Sequence, residues 1–167
     1  GVQTCALPIY DYQRPFMVSD AAPVRPERLL GALSKVVPEN ALFATDVGVH
    51  HNWIVQLWQA RRPRHLLQSW GFASMGFATC GILGAKLAQP ESPAIAVVGD
   101  GSFLMTPHIL LTAVEYDIPA VWVVWNNHGY CSIRDMQLGL FGQELATSFQ
   151  DRKSTRLNSS HVSESRM

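Results

Sequence analysis

An all-apolar run, Ala94 to Val98, stops abruptly at Gly99-Asp100-Gly101-Ser102, and this junction constrains the fold more than any other feature of the chain. Five apolar residues in a row read as a strand covered on both faces, as in parallel sheets flanked by helices. A second apolar stretch, Pro119 to Trp125, ends the same way in Asn126-Asn127-His128-Gly129. The 24 residues between Gly101 and Asn126 leave room for a turn, one helix, a turn and one strand. In such a βαβ unit both strands point the same way. Asp100 and Asn127 then arrive together at the carboxyl edge of the sheet, where open α/β sheets bind ligands.

The rest of the middle of the chain agrees with that pattern. Tyr10 to Pro26 carries three prolines and few periodic apolar positions, so it reads as a linker (residues 10–26). Pro26 opens a helix whose face is Leu29, Leu30, Leu33, Val36 and Val37. Ala41 to Thr45 is a short buried strand ending at Asp46, and His50 to Trp58 forms a helix. Arg61 to Arg64 is a basic, Pro-broken turn. Ser74 to Leu87 is a helix built on the small residues Gly76, Ala78, Gly81, Gly84 and Ala85, which would let it lie close against a sheet or a ligand. Helices are also expected over Pro107 to Glu115 and from Tyr130 to Leu138. The expected fold class is α/β: a parallel sheet with helices on both faces, in a domain over residues 27–150 that stops short at its C-terminal side.

Composition narrows the function classes. The chain has 167 residues, enough for one ordinary domain, and 47% of them are hydrophobic. Thirteen basic residues balance thirteen acidic ones. This gives no electrostatic reason to expect nucleic acid or an anionic membrane as a partner. The apolar runs are strand-length and far short of a membrane span. Cys5, Cys80 and Cys131 show no metal-ligand spacing and read as reduced thiols of a cytoplasmic protein. Residues 151–167, DRKSTRLNSSHVSESRM, have no apolar period and read as disordered. They resemble a translated sequencing adapter, as do residues 1–9, GVQTCALPI, and both ends are expected to be artefacts.

The residues at the two strand ends suit a metal-bound diphosphate. Asp100 offers a hard anionic oxygen, Asn127 a neutral amide oxygen, and Gly129 a backbone carbonyl. Mg²⁺ takes oxygen ligands and completes its octahedron with phosphate and water. Gly99 and Gly101 let an anion approach the backbone, and Ser102 stands at the start of the following helical region. Turn chemistry alone is the competing reading, since Asp-Gly is a common turn dipeptide. A P-loop and a dinucleotide fingerprint both fit worse: no Lys-Ser/Thr follows Gly76, and no GxGxxG is present.

Gly99-Asp100-Gly101-Ser102 followed 24 residues later by Asn126-Asn127 resembles the thiamine-diphosphate signature. The surroundings, Thr45-Asp46-Val47-Gly48, Ser74-Met75-Gly76-Phe77 and Thr112-Ala113-Val114-Glu115-Tyr116, are similar to the acetohydroxyacid synthase and pyruvate decarboxylase branch of that family. The resemblance covers about Val24 to Gln150. It implies Mg²⁺ held by Asp100, Asn127 and the Gly129 carbonyl. It places Gly48, His50, Gly99, Gly101 and Ser102 at the diphosphate. Met75 would prop thiamine in its bent shape, and the backbone of Ala73 and Met75 would bond the aminopyrimidine edge. Val49 departs from the glutamine common in the synthases, and the 128–133 loop departs from theirs.

The implied activity is carboligation or decarboxylation of 2-oxo acids, most like the large subunit of acetolactate synthase. The alternatives are an aryl-oxoacid decarboxylase, a sulfoacetaldehyde acetyltransferase, a trihydroxycyclohexanedione hydrolase, or a non-catalytic cofactor-binding subunit. The family's activating glutamate belongs to a separate domain of a neighbouring subunit. No catalytic residue is therefore expected in this chain, which alone should be inactive, and the intact enzyme should be a dimer or tetramer.

Overall fold

The computed structural model describes residues 9–149. The expectations for residues 1–8 and 150–167 lie outside the described residues. Four strands form one sheet: β1 (Leu42–Thr45), β2 (Leu66–Gln68), β3 (Ala94–Gly99) and β4 (Val121–Trp125). All pairings are parallel and the order is β2-β1-β3-β4. Around it run α1 (Pro26–Val36), α2 (Val49–Leu57), α3 (Phe77–Ala88), α4 (Asp100–Met105), α5 (Ile109–Glu115) and α6 (Cys131–Phe141). The chain divides after Asn127 into two compact units.

Alternation along the two central strands builds a core on each face. Leu42, Ala44, Ala96 and Val98 point to one side, where Ala78, Ile82 and Leu83 of α3 and Ala113 of α5 cover them. Phe43 and Val97 point to the other, against Leu30 of α1 and Ile54 and Leu57 of α2. Trp58 stacks on Phe43 with ring centroids 3.9 Å apart. The expected α/β architecture with helices on both faces is therefore present.

Several boundaries differ from the sequence reading, each for a local reason. Residues 10–26, read as a linker, contain a 3-10 helix, Arg14–Val18, that packs on α1. Met17 lies so close to Gly31 that a Cβ there would sit 2.8 Å from the methionine Cβ. The single helix expected between β3 and β4 is two helices, because Pro107 lacks an amide hydrogen and disfavours helical backbone at Thr106, which sits at φ −137°, ψ 42°. Strand β2 has only three half-buried residues, too few for a readable period. Helix α3 begins at Phe77 rather than Ser74, because Gly76 takes a left-handed φ of +89°. Gly81 and Gly84 face outward with nothing within 4 Å of an added Cβ, so they do not bring α3 close to the sheet. Ala78 does that, fully buried.

In the second unit, Gly129 forms an isolated antiparallel bridge with Ser148. The Tyr130 amide donates to the Thr147 carbonyl and the Phe149 amide to the His128 carbonyl. A Cβ at position 129 would collide with the Thr147 carbonyl oxygen, so the loop after Asn127 requires glycine there.

Candidate functional site

Sheet topology alone marks one place as the ligand crevice. From β1 the chain leaves into α2 on one face, and from the neighbouring β3 it leaves into α4 and α5, of which α5 packs on the other. Adjacent strands whose connections diverge to opposite faces open a crevice between their carboxyl ends. Asp46, Gly48 and His50 follow β1 at that crevice, and Gly99, Asp100, Gly101 and Ser102 follow β3.

The register brings the second strand pair to the same edge. Gly99 pairs with Trp125, so Asp100 stands level with Asn126 and one residue from Asn127. Asp100 is buried, and its Oδ1 accepts from the Gly101 amide at 2.9 Å. Gly101 and the fully buried Ser102 belong to the first turn of α4, so the Gly-Asp-Gly-Ser segment opens a helix rather than forming a free turn. Gly129 belongs to the second unit and Asn127 ends the first.

His50 fills the space between the two strand ends. Its ring lies against Gly48 and Gly99: an added Cβ would be 2.9 Å from the imidazole Nδ1 at Gly48 and 3.2 Å from Cε1 at Gly99. Gly48 also holds φ +142°, a conformation side chains avoid. Burial pushes the His50 pKa down, the neighbouring His51 adds to this, and a hydrogen bond to the Asp46 backbone opposes it; the result is about 4. The ring is thus neutral at pH 7. Its Nε2 is buried without a protein partner. Such an atom calls for an explanation, and a ligand in the crevice supplies one. His51, by contrast, is occupied: its Nε2 lies 3.1 Å from Gln68 Oε1 and its ring packs against Trp70.

The turn before α3 is held to the end of β1, where the Gly76 amide donates to the Asp46 carboxylate. Ala73 takes a left-handed φ of +50° and Gly76 one of +89°. Met75 is half-buried and belongs to neither core cluster. Thr106 Oγ1 is buried and unpartnered, and its side chain lies 3.3 Å from where a Cβ of Gly76 would be.

What the sequence reading missed is Asp46. Only 1% exposed, its carboxylate accepts from the amides of Val47, Gly76, Ala78 and Thr79 and from the Thr79 hydroxyl. The available signal was a carboxylate directly after a buried strand, with no cation near it in sequence.

Residues 46–164 match the family described as thiamine pyrophosphate enzyme, C-terminal TPP binding domain. The chain belongs to this family of thiamine-diphosphate enzymes. Among its relatives, the probable acetolactate synthase large subunit of Methanocaldococcus jannaschii is 34% identical over 144 residues, 81% of this chain and 24% of the relative. The acetolactate synthase large subunit of Lactococcus lactis is 34% identical over 128 residues, 77% of this chain and 22% of the relative. Acetolactate synthase isozyme 1 large subunit of Escherichia coli is 32% identical over 132 residues, 77% of this chain and 24% of the relative. The chain thus spans about a quarter of the length of these curated relatives.

The residues present fit the family's cofactor. Glycines against the His50 ring, an orphaned imidazole nitrogen, a buried hydroxyl at Ser102 and the Asp100 carboxylate are groups a metal-bound diphosphate would engage. Among the described residues no three His, Cys, Asp or Glu side chains gather into a metal cluster. Among the described residues no helix is long and apolar enough to cross a membrane.

Proposed function

We propose that this chain is the diphosphate- and Mg²⁺-binding part of a carboligase or decarboxylase of 2-oxo acids, most like the large subunit of acetolactate synthase. The observation that carries the reading is the crevice between β1 and β3, where His50, Gly48, Gly99, Asp100 and Ser102 converge beside an unpartnered imidazole nitrogen. The relatives' names support the reaction class.

Bound thiamine diphosphate supplies a carbanion-forming ring that attacks a carbonyl and accepts its electrons. The residues of this chain bind and orient it. Asp100 and Asn127 hold Mg²⁺, with Gly129 as a third ligand on the strength of its place two residues after Asn127. Gly48, His50, Gly99, Gly101 and Ser102 receive the diphosphate. The backbone of Ala73 and Met75 takes the aminopyrimidine edge, and the Met75 side chain supports the bend. The substrate is a small 2-oxo acid or related carbonyl compound, the intact enzyme is a homodimer or homotetramer, and its place is the cytoplasm. Proton removal from the ring belongs to a glutamate outside this chain, so the 167 residues alone bind without turnover.

Calorimetric titration of the chain with thiamine diphosphate, with and without Mg²⁺, tests the reading. Mg²⁺-dependent binding is expected, and Asp100→Asn is expected to weaken it by at least about tenfold, the scale of one charge-assisted contact. Binding unchanged by that substitution would remove Asp100 from the metal site.

A further inference from the structure

Helix α3 has no side-chain cap of its own: its N-cap is Gly76. The first-turn amides are satisfied instead by Asp46, from the end of β1 and 30 residues earlier in the chain. Gly76 donates to both carboxylate oxygens at 3.1 Å, Ala78 at 3.2 Å and Thr79 at 3.4 Å, while the Thr79 hydroxyl donates at 3.2 Å. Val47 donates to Oδ1 at 3.0 Å. A buried carboxylate without a cation is costly unless such donors surround it, and the positive end of a twelve-residue helix adds to the compensation. Gly76, at φ +89°, cannot carry a capping side chain without strain, so the cap comes from a distant residue.

The long-range cap has a geometric consequence. It pins the strained turn at Ala73 and Gly76, and Met75 between them, to the end of β1. The same residue stands four positions before His50, whose ring lies against Gly48 and Gly99. Asp46 thereby ties the turn to the end of β1, from which the chain runs into the glycine-walled edge at Gly48 and His50.

We infer that Asp46 is a positioning residue: its carboxylate sets the 73–76 turn at the distance from His50 that a diphosphate bearing an aromatic ring system must span. This rests on the proposed function for the identity of the ring-bearing ligand. A merely structural cap would affect every ligand of the crevice alike. A positioning role affects only ligands that reach the turn.

The test compares two ligands on the full chain by calorimetry. Mg²⁺-pyrophosphate shares the diphosphate contacts and lacks the rings, while Mg²⁺-thiamine diphosphate has both. Asp46→Asn is expected to weaken thiamine diphosphate by about tenfold or more and pyrophosphate by less than about twofold. Equal loss for both ligands, or no loss for either in a folded variant, overturns the inference. Should Asp46→Asn fail to fold, judged by circular dichroism, Thr79→Val removes the hydroxyl contact alone. It is expected to show the same selectivity at about two- to fivefold, and an unselective or absent effect overturns the inference equally. Failure of the unsubstituted chain to bind either ligand would instead refute the proposed function, and the inference with it. Equal affinity of that chain for both ligands would leave the crevice reading standing and refute the positioning role.

Discussion

His50 is neutral because burial removes the water that would solvate an imidazolium, and His51 adds repulsion. The sign of the pH dependence follows. Between its ordinary 6.5 and about 4 the unfolded chain binds the proton and the folded chain does not, so stability falls as pH falls through that window. The contribution is full above pH 6.5, is lost progressively towards pH 4, and is on the order of 3 kcal/mol. Urea titrations at pH 7 and pH 5 should show a higher midpoint at pH 7, and His50→Gln should shrink the difference. A midpoint difference unaltered by His50→Gln would assign the acid sensitivity to other groups. The motif residues at 99–102 were legible in the sequence because their chemistry is local. Asp46 was not, because its importance lies in amides 30 and more residues away.

Helix α3 separates two kinds of glycine that look alike in sequence. Gly76 has φ +89° and faces Thr106 at 3.3 Å, so Gly76→Ala should cost about 1–3 kcal/mol in chemical denaturation. Gly81 sits mid-helix, exposed, with nothing within 4 Å of an added Cβ. Gly81→Ala should therefore stabilise by roughly 0.4–1 kcal/mol, through a less flexible unfolded chain and better helix propensity. The same sign for both substitutions would contradict this account. In sequence the two glycines and Ala78 form one stripe of small residues. Only packing shows that Ala78 meets the sheet and the glycines do not. Strand β2 is not legible in sequence for a related reason: three residues hold no period, and its pairing with β1 is what makes it a strand.

At the scale of the whole molecule, a ligand that binds only the folded state stabilises it by mass action. Thiamine diphosphate with Mg²⁺ at a hundred times its dissociation constant should add about 2.7 kcal/mol, read as a rise in melting temperature. If Asp100 holds Mg²⁺ as proposed, excess EDTA should cancel most of that rise. A rise insensitive to EDTA would contradict the metal reading. The balanced charge of thirteen basic and thirteen acidic residues offers no competing electrostatic source for such stabilisation.

Sequence alone determined the class of fold, because two apolar runs ending in polar turns at βαβ spacing are written in consecutive residues. It also determined the identity of the strand-end groups, Asp100 and Asn127, through the spacing of one βαβ unit. The tertiary structure decided the rest. The strand order places the crevice between β1 and β3, the packing of α2 buries His50 and strips its Nε2 of partners, and the fold carries the start of α3 to the Asp46 carboxylate. Those relations join residues far apart in the chain, and nothing in a local pattern encodes how far they stand apart in space.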